Sequence, residues 1–520
     1  MNVSDEQTRS IWMDVAVAKA PVLEKSDRAD VVVIGSGIAG LSCAYELSLR
    51  GRSVIVIDRG EIGSGMTART TAHLASVLDD DYSKLIETRG LDCALLLYQS
   101  LLTSINRVEE IQNRESIACD FSRVDGYWLL AAGTPASRLE EELDACEKIG
   151  VIVSDCREPT ALHTERLVRS LKFPLQGRFH PTKYLAGLVA AIKRHKGHLF
   201  GNTTVEAIEE RQGEMVIKTA SGHDVCAANV VVATNSPVNV VVPIHTKQAP
   251  YRTYAIAATL PRSALPDALY WDTHDPYHYV RLQPLSDRSN AVIVGGEDHK
   301  AGEADDGEQR FAALEKWARD RLPKMGKVTH RWSGQCLEPS DFTGFIGESP
   351  DNEKVFIVSG DSGQGITNGV VAGLMIADLV TVGSSPWSEL YDPSRKVGSN
   401  IGAFISENAT PLMNFAEYLS ADDIAAVERL KSGEGGVFRS GLKKIAACRA
   451  HDGKLHVHSA SCTHLGCVVH WNSLEQCWDC PCHGSQFAAD GTALNGPAVA
   501  PLERLEKLES QKRRSETAPA

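Results

Sequence analysis

The chain has 520 residues, 43% hydrophobic and 23% charged, with a formal net charge of -13 and a pI near 5.7. That length exceeds what one hydrophobic core organises, so two or three domains are expected. The acidity argues against nucleic acid or anionic lipid as the main partner, and the one basic run, Gln511 to Arg514, reads as a solvated end.

No stretch reads as the ~18 consecutive apolar residues of a membrane helix. The most apolar one, Val230 to Ile244, is broken by Asn235, Pro237 and Pro243. The first residues lack the charged start and apolar core of a secretory signal. Eight cysteines before Ser461 are isolated from one another, which suits reduced thiols in a cytoplasmic protein.

In chain order, residues 1–29 read as an N-terminal extension. A strand (Val31–Ile34), a glycine turn, a helix (Ile38–Leu49) and a second strand (Ser53–Asp58) then form a βαβ unit. Helical patterns follow at 137–150 and 182–197, and strand patterns at 214–220, 229–234, 291–296 and 355–360. The class is α/β with added antiparallel pieces. Residues 30–384 form the first unit, and composition turns loop-like over a linker at 385–420. A helix at 421–431 opens a unit of short strands and turns ending near 507, before a disordered tail at 508–520.

Gly35-Ser36-Gly37-Ile38-Ala39-Gly40 fits G-x-G-x-x-G between a strand and a helix. Gly35 permits the tight turn, Gly37 lets backbone approach a pyrophosphate, and Gly40 lets helix and strand pack. The helix N-terminus favours the phosphates. Asp58, followed by Arg59, ends the next strand, where a carboxylate accepts from a ribose hydroxyl. A second strand, glycine loop and helix begins at Val355, with Gly360, Gly363, Gly365 and Thr367 as candidate cofactor contacts.

A nucleotide site closed by such a late loop resembles the FAD-dependent glycine/D-amino-acid oxidase-like superfamily. The stretch GEIGSGMTARTTAHL (60–74) is similar to that family's loop reaching the flavin ring, which makes Thr71 a candidate contact. The stretches FHPTKYLAGL (179–188) and RWSGQCLEPSDFTGFIG (331–347) resemble two further family segments. The pieces WDTHDPYHYVRL (271–282), VGGEDHKAG (294–302) and LYDPSR (390–395) resemble a bacterial branch carrying a C-terminal iron–sulfur domain. The resemblance implies a Rossmann-like FAD-binding fold interleaved with an α+β substrate domain, and a small all-β C-terminal domain. Ala68-Arg69 stands where covalently linked relatives place a histidine, so the sequence gives no support to a covalent flavin bond.

Cys462-Thr-His464-Leu-Gly-Cys467 and Cys480-Pro-Cys482-His483-Gly-Ser485 resemble the two loops of a Rieske protein. The resemblance implies a [2Fe-2S] cluster bound by Cys462 and Cys480 on one iron and His464 and His483 on the other. It also implies a disulfide between Cys467 and Cys482. Two Cys and two His in this spacing also suit tetrahedral zinc; the paired extra cysteines, Ser485 and the Gly496-Pro497 loop fit the Rieske pattern instead. Phe487 stands where high-potential relatives have tyrosine, so the potential is expected below the top of the range of about -150 to +300 mV.

A flavin and a one-electron cluster in one chain make a two-to-one electron converter. The expected enzyme is a dehydrogenase that oxidises a small amine or amino acid and passes electrons from FAD through the cluster to a ferredoxin, cytochrome or quinone. Alternatives are a reductase running in reverse from ferredoxin or quinol, or a redox-sensing electron-transfer protein. Candidate substrate residues are Arg69 and His73 in the early loop, and Tyr277, His278, Tyr279 and Arg281, with Arg281 as a carboxylate clamp. The segment 331–341 has no arginine where amino-acid oxidases of the family hold the substrate carboxylate.

Overall fold

The computed structural model describes residues 6–157, 162, 169–238, 243–397, 424–440 and 443–505. The expected linker from 398 onward and the expected tail at 508–520 lie outside the described residues.

The strand Asp27–Ile34 ends in Val31-Val32-Val33-Ile34, all buried, the uniform apolar run of a strand covered on both faces. It pairs in parallel with Val54–Ile57 and with Asp224–Val232, so that Val32 lies opposite both Ile55 and Val230. Asn352–Ser359 extends the parallel sheet beyond Asp224–Val232, and His198–Phe200 extends it beyond Val54–Ile57. The helix Ile38–Leu49 has the expected bounds, while the glycine-rich region after Ser359 leads into the helix Gly365–Val382. These two helices cross tightly: a Cβ at Gly369 would lie 2.7 Å from Ile38 Cγ2, and one at Gly373 would lie 2.7 Å from Ser42 Cβ.

The helix Gly365–Val382 is 18 residues long with a mean hydropathy of 1.6, long and apolar enough to cross a membrane. The sequence reading passed over it in favour of Val230 to Ile244. Its apolarity has a local cause, since it is packed against the helices Ile38–Leu49 and Leu91–Arg114 within the core.

A second sheet of nine strands is mostly antiparallel, with Val328–Pro339, Gln248–Pro261, Ser289–Lys300, His278–Pro284 and Ala268–Asp272 in spatial order. Its strand ends approach the carboxyl ends of the parallel strands, leaving a crevice between the sheets. The C-terminal unit consists of a three-stranded sheet (Gly435–Ser440, Lys443–Arg449, Leu455–Ser459) and a four-stranded one (His470–Asn472, Cys477–Asp479, Gln486–Ala488, Ala493–Asn495). Trp471, Trp478 and Phe487 fill its core around the cysteines.

One boundary differs from expectation. Residues 385–397 were read as linker, yet Tyr391 is fully buried with its hydroxyl 2.7 Å from Ser100 Oγ, and Arg395 pairs with Asp341 at 2.8 Å. They belong to the first unit. The N-terminal extension also packs: Trp12 is fully buried and donates to the Thr70 carbonyl at 2.6 Å.

Candidate active site and cluster site

The crevice is a cavity of about 540 Å³ lined by both glycine loops, the early loop, the second sheet and the C-terminal unit. At its nucleotide end Gly35 has φ +101°, and a Cβ there would lie 2.3 Å from the Ala233 carbonyl oxygen. A Cβ at Gly40 would lie 1.9 Å from the Gly35 carbonyl oxygen, so Gly40 serves packing, as expected, and does not line the cavity. Asp58 and Arg59 line it. The Asp58 carboxylate accepts from Ser36 N at 2.8 Å and Ser36 Oγ at 2.6 Å on Oδ2 and from Gly60 N at 2.9 Å on Oδ1, which keeps a lone pair for a ribose hydroxyl. Gly37, Thr71, Gly360, Gly363 and Gly365 all line the cavity. The N-terminal ends of both helices, Ile38 and Ile366, open onto it. Thr367 does not: its hydroxyl donates to the Gln364 carbonyl within the first turn.

The substrate candidates divide. His73 and Tyr279 line the cavity, with ring centroids 5.5 Å apart and edge to face. Burial pushes the His73 imidazole down to about 3, so it is neutral, and its Nε2 has no hydrogen-bond partner. Tyr279 hydroxyl meets Thr253 Oγ1 at 2.7 Å, and Tyr277 hydroxyl donates to Asp79 at 3.0 Å.

Arg281 is no carboxylate clamp. It is fully buried outside the cavity and donates to the carbonyls of Ala72 at 2.6 Å and Phe179 at 3.0 Å, tying the early loop to the second sheet. Arg69 borders the cavity, but its guanidinium points out of it, to Glu6 at 3.0 Å, Thr8 and Ser333. His278 also faces away, as strand alternation requires between Tyr277 and Tyr279. It stacks on Trp317 at 4.4 Å, between Asp272 and Glu297, beside a separate cavity of about 190 Å³.

Sequence reasoning missed four cavity carboxyls, Asp79, Asp298, Glu338 and Asp361. Burial pushes Asp79 and Asp298 up to about 7 and Asp361 up to about 6, and raises Glu338 well above the carboxylate range. Asp298 and Glu338 sit inside segments already singled out, but nothing local says that separate strands bring them to one wall.

In the C-terminal unit, Cys467 and Cys482 are joined by a disulfide as expected. The Cys480 sulfur lies within 4.8 Å of both of theirs, but those two sulfurs are spent on each other. Cys480 thiol donates to Cys462 sulfur, which pulls Cys462 down to about 7 and pushes Cys480 up. Two thiols close enough to share a proton suit one iron. The His464 and His483 rings lie 5.0 Å apart, and burial lowers both, His483 to about 4, so each is a neutral donor. His464 Nδ1 is buried without a partner. The predicted ligands thus come as a thiol pair and an imidazole pair, a donor set that fits a [2Fe-2S] centre.

The two units meet at these sites. His245, from the first unit, lies edge-on to His464 at 5.1 Å and to His483 at 6.2 Å. Thr492, Asn495, Val499 and Pro501 of the C-terminal unit line the flavin cavity. Beside this contact is a buried ionic knot: Glu6 and Thr8 of the N-terminal segment, Arg69, Arg252 and Ser333 of the first unit, and Glu475, Asp479 and Gln486 of the C-terminal unit.

This architecture is that of a flavoprotein with a built-in iron–sulfur domain. The chain belongs to the FAD dependent oxidoreductase family, which residues 30–379 match, and residues 421–507 match the Rieske [2Fe-2S] domain. FAD and a Rieske cluster are its cofactors. A chain of Bacillus subtilis (strain 168) named as a Rieske 2Fe-2S iron-sulfur protein, YhfW, is 27% identical over 94% of this chain and 95% of its own. The gamma-glutamylputrescine oxidoreductase of Escherichia coli (strain K12) is 26% identical over 72% of this chain and 89% of its own. The crystal structure of glycine oxidase from Geobacillus kaustophilus has the same fold over 71% of this chain and 100% of its own, with a TM-score of 0.60 at 20% identity.

Proposed function

We propose that the protein is a dehydrogenase that oxidises a small amine or amino acid at the flavin and passes the electrons through its own Rieske cluster to an external one-electron carrier. The observation that carries this reading is the shared wall: side chains of the cluster domain line the flavin cavity, and Gln335 of that cavity is hydrogen-bonded to the residue after ligand His483. Bound FAD accepts a hydride and releases its two electrons singly, which is how a one-electron centre beside it is used.

The chain's own residues prepare that step. The aromatic walls Trp271, Tyr277, Tyr279 and Trp332 exclude water from the substrate end. The neutral His73 and the Tyr279 hydroxyl offer polar atoms to orient a substrate nitrogen. Both ligand histidines face His245 of the first unit, but His483 is buried, whereas His464 is only half-buried and Leu465 beside it is 57% exposed. That asymmetry supports electron entry from the flavin side and exit at the Leu465 side.

Anaerobic rapid mixing with a panel of amines and amino acids tests the reading. Loss of flavin absorbance followed by the EPR signal of a reduced Rieske centre is the expected sequence. Full reduction of the flavin with the cluster still oxidised, and dioxygen as the effective acceptor, would sink it.

A further inference from the structure

We infer that the substrate is a compact cation bearing at least two amino groups and no carboxylate, a diamine or polyamine rather than an amino acid. This rests on the reading that the flavin cavity oxidises amines, and it names the class of amine.

The charges of the cavity carry the argument. Asp79, Asp298, Glu338 and Asp361 enter it from four separate segments. The basic side chains along its wall are Arg59, Arg69 and His73. Arg59 adjoins Asp58 at the nucleotide end, the Arg69 guanidinium is committed to Glu6 and Thr8, and His73 is held neutral by burial. Among the described residues no salt bridge engages any of the four acids.

Their hydrogen bonds are neutral ones. Asp79 accepts from Tyr277 at 3.0 Å and Gln364 at 3.4 Å, and Asp361 accepts from Leu337 N at 2.6 Å. Asp298 Oδ1 is buried with no hydrogen-bond partner. Desolvation and mutual repulsion raise the carboxyl pKa values, the strain that a bound cation relieves. An independent feature points the same way: Tyr277 and Tyr279, 5.3 Å apart and tilted, stand with Trp271 and Trp332 around the space, and aromatic faces attract ammonium groups. One ammonium can ionise and pair with only part of this carboxyl set, a second engages more of it, and a substrate carboxylate brings a negative charge with no cation in the cavity committed to meeting it.

For an amine R–CH2–NH3+, a proton leaves the nitrogen for a cavity carboxylate or water, and the C–H bond beside it breaks with hydride passing to FAD. The product R–CH=NH2+ takes up water to give an aldehyde and ammonium. Two electrons then leave one at a time through the cluster to the external one-electron carrier, and two protons leave to solvent.

The test uses the holoenzyme and three probes: 1,4-diaminobutane, n-butylamine and ornithine. Calorimetry is run at pH 6.5 in two buffers of different ionisation enthalpy, alongside anaerobic flavin bleaching. The diamine is expected to bind at least tenfold tighter than either other probe and to release protons, as carboxyls ionise around it. Asp298→Asn, which removes a buried charge and so is not expected to impair folding, should cut the diamine-to-butylamine affinity ratio at least fivefold. Preference for ornithine or butylamine, or an unchanged ratio in the variant, overturns the inference while leaving the dehydrogenase reading intact. Tight diamine binding with no bleaching of the flavin does the reverse. Binding by none of the three overturns the inference.

Discussion

Gln335 and Gly484 join the two redox domains: Gln335 Nε2 donates to the Gly484 carbonyl at 3.0 Å, while Gln335 Oε1 accepts from Asn495 Nδ2 at 2.7 Å. Gly484 has φ +79°, and a Cβ there would lie 2.2 Å from Gln335 Nε2, so the close approach requires glycine. One side chain thus spans the wall between the flavin cavity and the loop of ligand His483.

Gln335→Leu keeps the volume and removes both hydrogen bonds, leaving a buried carbonyl and a buried amide unpaired. The cost of such groups is about 1–3 kcal/mol, borne by docking of the cluster domain. Electron transfer from flavin to cluster should slow at least tenfold relative to flavin reduction by substrate, measured in the same anaerobic mixing experiment. An unchanged ratio of the two rates would mean that the contact has no part in the transfer.

The ionic knot predicts a stability effect. Arg252 donates to both oxygens of Asp479 at 3.1 Å and pairs with Glu6 at 3.4 Å, with all three side chains buried. Arg252→Met keeps the aliphatic stem but leaves Asp479 without its cation and Glu6 with Arg69 alone, a change worth roughly 3–5 kcal/mol when one partner of a buried pair is removed. Deleting residues 1–8 removes Glu6 and Thr8 and leaves Arg69 short of partners. Both variants should lower the unfolding temperature, and the Rieske EPR signal should broaden as docking becomes heterogeneous. Cooperative unfolding at the wild-type temperature in both would show that the knot contributes no net stability.

The cavity acids give a pH dependence whose sign is fixed. Asp298 ionises near 3.8 in an unfolded chain and at about 7 in the folded, substrate-free protein. Between those values the folded state binds more protons, so this contribution to stability is complete below 3.8 and is lost as pH rises to about 7. Asp298→Asn should therefore raise the unfolding temperature at pH 8, by about 2–4 °C for each kcal/mol gained. At pH 4, where the wild-type carboxyl is neutral too, the difference should vanish. Thermal unfolding at both values checks it, and equal shifts at the two pH values would count against a charged Asp298 as the cause.

Features built from adjacent residues were legible in the sequence. The glycine turn at 35–40, the late loop at 360–365 and the cluster ligands each need residue types at fixed local spacing; the structure sets both glycine loops on the cavity and pairs Cys462 with Cys480 and His464 with His483. The substrate wall was not legible, because Tyr279, Asp298 and Glu338 meet only through the order of strands in the second sheet, and Asp79 joins them from the turn after His73–Leu74. Arg281 and Arg69 misled for a physical reason: a guanidinium suits a carboxylate substrate, but it suits buried carbonyls and acids equally well. The N-terminal segment gave no sign of its role, since Glu6 and Thr8 acquire meaning only opposite Glu475 and Gln486, over 460 residues away along the chain.

The cluster potential is the last expectation open to measurement. Ser485 is fully buried; its hydroxyl donates to Cys462 sulfur, and its oxygen accepts from Ala498 N at 3.0 Å. A donor to a ligand sulfur draws off negative charge and favours the reduced cluster. Ser485→Ala removes it, and a hydrogen bond worth about 1.4 kcal/mol corresponds to a fall on the order of 60 mV for one electron. Phe487 is fully buried opposite Trp478, in the core that holds Cys462 and Cys480, and offers no donor. Phe487→Tyr adds a hydroxyl that must find an acceptor in that core, and a ligand sulfur is the acceptor whose use raises the potential by a similar amount. Redox titration followed by EPR should therefore move the two variants in opposite directions from a wild type below the top of the Rieske range. A Ser485→Ala centre that keeps the wild-type potential would show that this hydroxyl does not tune the cluster.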